Sequence, residues 1–312
     1  MAFQSISRIL QDMSGFALKI RNPQTIADEV FPRFPVTNQS DKYVKFDAEQ
    51  IRALKDDVRA EGAAAQRVTR GISRDSYFAD DHAHEVLITD EERARYEVGS
   101  GNVEQDFTEL LMDKTLLRME KNFAAIVTDA AQVTQNTTLA GPAQWSDTAG
   151  SKPVSDVQTG HEAVAKAIGR RANALLMGFE VFSKLRVHPS ITSRISNIKI
   201  DAVSEEDLAA LFDVDRVLVS EAIEEDAAAA NQFVFGKHAV LCYINPGRTQ
   251  EDVNFGRNFV WAGAAGTAEG IQIEIARAAP VSRKADELAS HFYYDQNLTT
   301  ERAGYLIKNA VA

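Results

Sequence analysis

Apolar residues between positions 99 and 131 recur with a helical period. Met112, Leu116, Met119, Phe123, Ile126 and Ala130 follow one another at steps of four and three, which draws one apolar stripe down a helix. Leu110, Leu117 and Ala124 run beside it, while Lys114, Arg118 and Lys121 gather on the far side. Gly99 and Gly101 open the segment, and Asn102 stands three residues before Gln105 in the arrangement of a capping box. A helix of ~30 residues would be ~45 Å long at 1.5 Å per residue, against a usual ~11–12 residues. The pattern predicts a strut lying across a sheet, suited to spanning and joining more than to enclosing a small pocket.

The same period appears at the start of the chain. Phe3, Ile6, Leu10, Met13, Ala17 and Ile20 are spaced by threes and fours, with Gly15 interrupting. Such a helix is marginal alone, so it needs a surface, either on its own domain or on a neighbouring chain. Pro23, Pro32 and Pro35 then break the path. Residues 1–35 read as an N-terminal arm whose expected contacts are Phe3, Ile6, Leu10, Phe31 and Phe34.

Residues 36–98 are the least globular part. Tyr43–Phe46 alternate like a short strand, and a polar, alanine-rich stretch with Arg59, Arg67, Arg70 and Arg74 follows. Ser76–Phe78 and Glu85–Ile88 can form the return strand. A long structureless loop inside a compact domain is uncommon. A protruding two-stranded loop explains the composition better, and a lone hairpin is too weak to stand without a partner. Disorder is the competing reading. Because the arginines are interleaved with Asp56, Asp57, Glu61 and Asp75, ion pairs to neighbouring subunits suit them better than phosphate contacts.

Residues 99–150 hold the strut and a polar stretch, 134–153, that reads as a linker and domain boundary. Helices and strands alternate from 151 to 265. One helix carries Val157, His161, Val164 and Ile168 inward and is closed by Gly169. Buried strands are predicted over Ala174–Met177 and Arg216–Val219, with Ser204 and Asp207 capping a helix between them. Further strands are expected at 233–235, 239–244 and 255–261. From 266 to 312 the period shifts to two, with Ile271, Ile273 and Ile275 alternating with polar neighbours. Strands there, including 303–311, are expected to return to the sheet beneath the strut. The fold class is α+β.

Composition narrows the function. The 312 residues exceed one comfortable core, so two lobes are expected. A net charge of −11 argues against broad attraction to nucleic acid or anionic lipid. The one cysteine, Cys242, lies in an apolar run, which fits a buried reduced thiol in a reducing compartment. Neither a secretion signal nor an apolar run of ~18 residues is seen, which reads as a soluble intracellular product. No nucleophile elbow, P-loop or zinc-protease motif is present in the sequence. Asp80, Asp81, His82 and His84 form the one eye-catching constellation. Two histidines two apart on a strand point the same way and can offer two ring nitrogens to a metal, but no further ligands are marked. No cofactor, metal or catalytic residue is assigned.

The order of arm, protruding hairpin, strut, α/β lobe and return strands resembles the HK97-like major capsid proteins of tailed bacteriophages. Residues 88–129 are similar to the family's descent from its extended loop (the E-loop) into its spine helix. LLMGFEVFSKLRVHPSITSRI and SEEDLAALFDVDRVLVSEAI look like its axial domain, and FGRNFVWAG like strands leading back to its peripheral domain. The resemblance implies a structural, non-enzymatic subunit of an icosahedral head that encloses double-stranded DNA without reading its sequence. It implies pentamers and hexamers of the chain itself, each extended loop lying over the next subunit, and residence in the virion after assembly in the host cytoplasm. Arg59, Arg67, Arg70, Arg74, Asp80 and Asp81 are then the expected inter-subunit residues of the extended loop, and Met112, Leu116, Met119, Phe123 and Ile126 pack the spine helix.

Two features depart from some relatives. No long helical assembly segment precedes the loop, so a separate scaffolding protein is expected, or a chain already trimmed; portal and decoration proteins are further expected partners. The presumed loop tip, 60–75, has arginines and no lysine, Lys55 being nearest, so subunits are expected to join without covalent welds. The alternatives are an encapsulin-type nanocompartment shell with the same fold and, remotely, a metal-dependent hydrolase using His82 and His84. A portal-like or adaptor ring is disfavoured because such proteins are more helical.

Overall fold

A computed structural model of the chain describes residues 8–17, 19–20, 22, 24–45, 58, 61–62, 73–98, 102–195, 203–225, 230–245, 247, 252–263, 269–278 and 283–312. These divide into two compact units. The first comprises residues up to Asp41, Tyr77–Phe123 and Asn258–Asn297; the second comprises Lys42–Ser76, Ala124–Arg257 and Leu298–Ala312.

The first unit is a helix on a six-stranded sheet. Strand Ala285–Leu298, 14 residues long, carries Ile271–Arg277 and Asp80–Thr89 as antiparallel neighbours. The sheet continues through Gly256–Trp261 to Arg33–Val36, and on the other side ends at Arg8–Ile9. Along the central strand Leu288, Phe292 and Tyr294 are buried, as the two-residue period of a half-buried strand requires.

The strut is the helix Val103–Val127, 25 residues long. Asn102 starts it by accepting a hydrogen bond from the Glu104 amide at 3.1 Å. Met112, Leu116, Met119 and Phe123 are buried as predicted, whereas Ile126 is half-buried and the buried line passes to Val127. Ala130 falls beyond the helix end and Leu110 is exposed, so the second apolar flank does not form a continuous contact. The buried face also includes Thr108, Thr115 and Glu120. Glu120 serves another element. Its Oε2 accepts from the backbone amides of Ile26, at 2.9 Å, and Ala27, at 2.8 Å. It thereby satisfies N–H groups at the start of the short helix Ala27–Val30, where they have no partner within the helix.

The second unit is built on a five-stranded sheet in the order Asn136–Thr138, Gly304–Lys308, Ala239–Cys242, Ala174–Gly178 and Arg216–Ser220. The middle strand is antiparallel to both neighbours, and each outer pair is parallel. Helix Pro153–Ile168 buries Val157, His161, Val164 and Ile168 and ends at Gly169, whose φ of 72° is the left-handed cap glycine adopts without strain. His161 is a core histidine whose Nε2 meets the Phe212 carbonyl at 2.8 Å. Ser204 and Asp207 make the full capping box of helix Glu205–Phe212. At Gly178 the chain presses against the Gly236 carbonyl so closely that any Cβ would collide with it.

Three expectations are corrected. The Glu85–Ile88 segment is not the return strand of the hairpin; it lies within Asp80–Thr89 and pairs with Ala285–Leu298, while Ser73–Phe78 returns beside Ser40–Lys45. The polar 134–153 stretch is no free linker. Its Trp145 is fully buried and donates to Asp156 at 2.9 Å, and Asn136–Thr138 joins the second sheet. The C-terminal strand Gly304–Lys308 also belongs to the second sheet and not to the one under the strut, because Leu306 and Ile307 fill that core.

Candidate assembly surfaces

Two described strands, Ser40–Lys45 and Ser73–Phe78, pair as a hairpin. Along Ser40–Lys45 and Ser73–Phe78 only Tyr43 and Tyr77 are buried. Tyr77 stacks on Phe259 with centroids 4.8 Å apart, and the Tyr43 hydroxyl donates to the Leu298 carbonyl. Lys45 ties the two strands by an ion pair to Asp75 at 2.9 Å and reaches Glu301 at 3.2 Å. Burial pulls the Lys45 pKa down, but its hydrogen bonds to Asp75 and Glu301 outweigh this and leave it raised. The bond from Lys45 holds the Asp75 carboxyl below its ordinary value. Arg74 is exposed on the returning strand; Arg59, Arg67 and Arg70 lie outside the described residues.

Asp80 and Asp81 sit on the main sheet, not on the hairpin. Asp81 pairs with His291 of the same chain at 2.9 Å, and Asp80 is exposed. The rings of His82 and Tyr294 stack at 4.1 Å, and burial lowers the His82 pKa against the pull of Asp80. His84 is exposed. Among the described residues no three His, Cys, Asp or Glu side chains gather where a metal could sit. Cys242 is fully buried, and burial pushes its thiol pKa far up, which leaves it no thiolate character.

The described arm residues lie on their own unit. Leu10 donates its amide to Ile273 O at 2.9 Å, Phe31 meets Phe123 edge-on at 5.0 Å, and Phe34 meets Phe259 at 6.0 Å. Phe3 and Ile6 lie outside the described residues. In the second unit Val187, Ile223 and Phe179 stand exposed, Phe179 against Phe233 at 5.4 Å. Sequence reasoning missed the Lys45 clamp, whose acceptors Asp75 and Glu301 are far from it along the chain.

No protein-family model matches the chain. A major capsid protein of Burkholderia phage BcepMu is 27% identical over 238 residues, covering 74% of this chain and 75% of that protein. A phage-related protein from Bordetella bronchiseptica RB50 superposes with a TM-score of 0.78 at 24% identity, covering 98% of both chains. The capsid protein of cyanophage P-SCSP1u superposes at 0.60 with 9% identity, covering 91% of this chain and 88% of that one. The α+β fold is the HK97-like capsid fold, and the resemblance to phage major capsid proteins read from the sequence holds.

Proposed function

We propose that this chain is a phage major capsid protein, a structural subunit that assembles with copies of itself into the icosahedral shell around double-stranded DNA. The observation that carries the reading is the identity to the BcepMu major capsid protein along three quarters of both chains. The physical pattern supports it. Hairpin strands whose described residues bury only Tyr43 and Tyr77 gain further contacts from another copy, and repetition of such a heterologous contact closes a ring. Rings of five and six close the shell.

The role is structural and not catalytic. The net charge of −11 suits an inner wall that releases packaged DNA instead of gripping it. The extended-loop arginines 59, 67, 70 and 74, with the exposed Asp80, make inter-subunit ion pairs, while Asp81 is engaged by His291 within its own chain. Scaffolding, portal and decoration proteins are the expected partners, and assembly takes place in the host cytoplasm before the protein resides in the virion.

Electron microscopy of the overexpressed full chain tests the reading: closed, regular shells or capsomer sheets are expected. A protein that stays monomeric at high concentration, with and without co-expressed phage head proteins, overturns it. DNA inside purified particles separates the head shell from an encapsulin-type compartment, which would enclose a protein cargo instead.

A further inference from the structure

The strut Val103–Val127 buries Met112, Leu116, Met119 and Phe123 on one side. Half a turn round the helix, Asp106, Leu110, Asp113, Lys114, Arg118 and Lys121 are exposed, Leu110 to 47%. Glu109 is exposed on the flank of this face, and Leu117 is half-buried within it. The charges are segregated, with acids in the N-terminal half of the face and bases in the C-terminal half. The helix dipole favours that order only within the first and last turns, and Asp113 and Lys114 stand mid-helix. A helix face that meets only water gains from opposite charges three or four residues apart. Here the charged pairs at that spacing share one sign: Asp106 with Glu109, Glu109 with Asp113, Lys114 with Arg118, and Arg118 with Lys121. Each such pair weakens the helix that carries it.

The segregation is self-complementary. Counting outward from the bond between Asp113 and Lys114, every step meets its counterpart: Asp113 and Lys114, Leu110 and Leu117, Glu109 and Arg118, Asp106 and Lys121. A twofold axis beside that bond sets acid level with base and leucine level with leucine. Acids and bases lie on opposite flanks of the face, so two strictly antiparallel struts would bring like flanks together. A crossing of about −50°, the commonest class of helix packing, turns the acidic flank of one strut over the basic flank of the other.

We infer that this face of the strut is a twofold contact with the strut of a second copy, with Asp113 and Lys114 at its centre. The inference rests on the shell reading and adds to it. A ring closes through a heterologous contact, and joining one ring to the next takes a contact of another kind.

Two variants of the full chain, both leaving the net charge at −11, test the register. Glu109→Lys with Arg118→Glu exchanges the members of one pair and keeps the match. Glu109→Lys with Lys114→Glu sets lysine opposite Arg118 and glutamate opposite Asp113. Both create opposite-charge neighbours within the helix, so neither unassembled subunit should melt below the parent. The mismatched variant should need roughly tenfold more subunit to form shells, about 1.4 kcal/mol. The exchanged variant should stay within about twofold of the parent. Light scattering and sedimentation of shells give the readout. A mismatched variant that assembles like the parent overturns the inference. So does an exchanged variant as defective as the mismatched one, the result expected if this face meets a partner other than a strut. In both cases the parent's shells keep the shell reading intact. A parent that forms no shells overturns the shell reading and this inference with it.

Discussion

Glu120 is the place where the first unit's helix and its N-terminal segment depend on a single carboxylate. The perturbation is Glu120→Ala. The carboxylate is fully buried and accepts two buried backbone N–H groups at 2.9 and 2.8 Å. Truncation leaves both donors without an acceptor in a place water does not reach. An unsatisfied buried donor costs ~1–3 kcal/mol, so alanine should cost roughly 3–5 kcal/mol. Glutamine keeps an acceptor oxygen and loses the charge assistance, which should cost about 1–2 kcal/mol. Thermal unfolding of the unassembled subunit, followed by circular dichroism, is the assay. At ~2–4 °C per kcal/mol for a unit of this size, Glu120→Ala should melt roughly 10 °C lower and Glu120→Gln only a few degrees lower. Hydrogen exchange at the Ala27 amide should quicken in the alanine variant. Alanine and glutamine variants that melt together, or an alanine variant within about 2 °C of the parent, would refute the reasoning.

Lys45→Ala should cost less than about 1 kcal/mol, since its partners are half in water, and the loss should shrink with added salt in denaturant titrations. Asp75, held below its ordinary 3.8, gives up its share of that stability as pH falls through its lowered pKa; Lys45, raised above 10.5, gives up its share as pH rises through its raised one. His82 sits below its ordinary 6.5, so stability should be full above pH 6.5 and fall as pH drops from there to the folded pKa, and His82→Phe should flatten that slope in urea midpoints at pH 7.5 and 5.0. Gly178→Ala meets the Gly236 carbonyl and should cost about 1–3 kcal/mol or more, whereas Gly15→Ala, with nothing within 4 Å inside helix Gln11–Ala17, should gain about 0.5–1 kcal/mol; melting curves distinguish them. Shells boiled in denaturant should run as a single 34.3 kDa band, and a ladder of covalent oligomers would show welding.

What was legible in the sequence was local, and the reason is physical. Gly169 closes its helix and Ser204 with Asp207 opens another because caps are settled within one turn. The strut's stripe from Met112 to Phe123 was legible because every step repeats the same geometry. Alternation in Glu85–Ile88 announced a strand correctly, yet a period of two fixes which residues share a face and says nothing about which strand lies alongside. The partner, Ala285–Leu298, comes late in the chain, and the nearer Tyr43–Phe46 looked the simpler match. Gly304–Lys308 failed for the same reason, its neighbours being Asn136–Thr138 and Ala239–Cys242. Trp145 shows the complementary error: a stretch of mostly polar or small neighbours can read as a linker in composition, but one fully buried indole bonded to Asp156 holds the segment in place. Glu120 did leave a signal, being four residues after Leu116 and three before Phe123 on an otherwise apolar face. A carboxylate at such a position must meet donors brought by another element, and here they are the amides of Ile26 and Ala27.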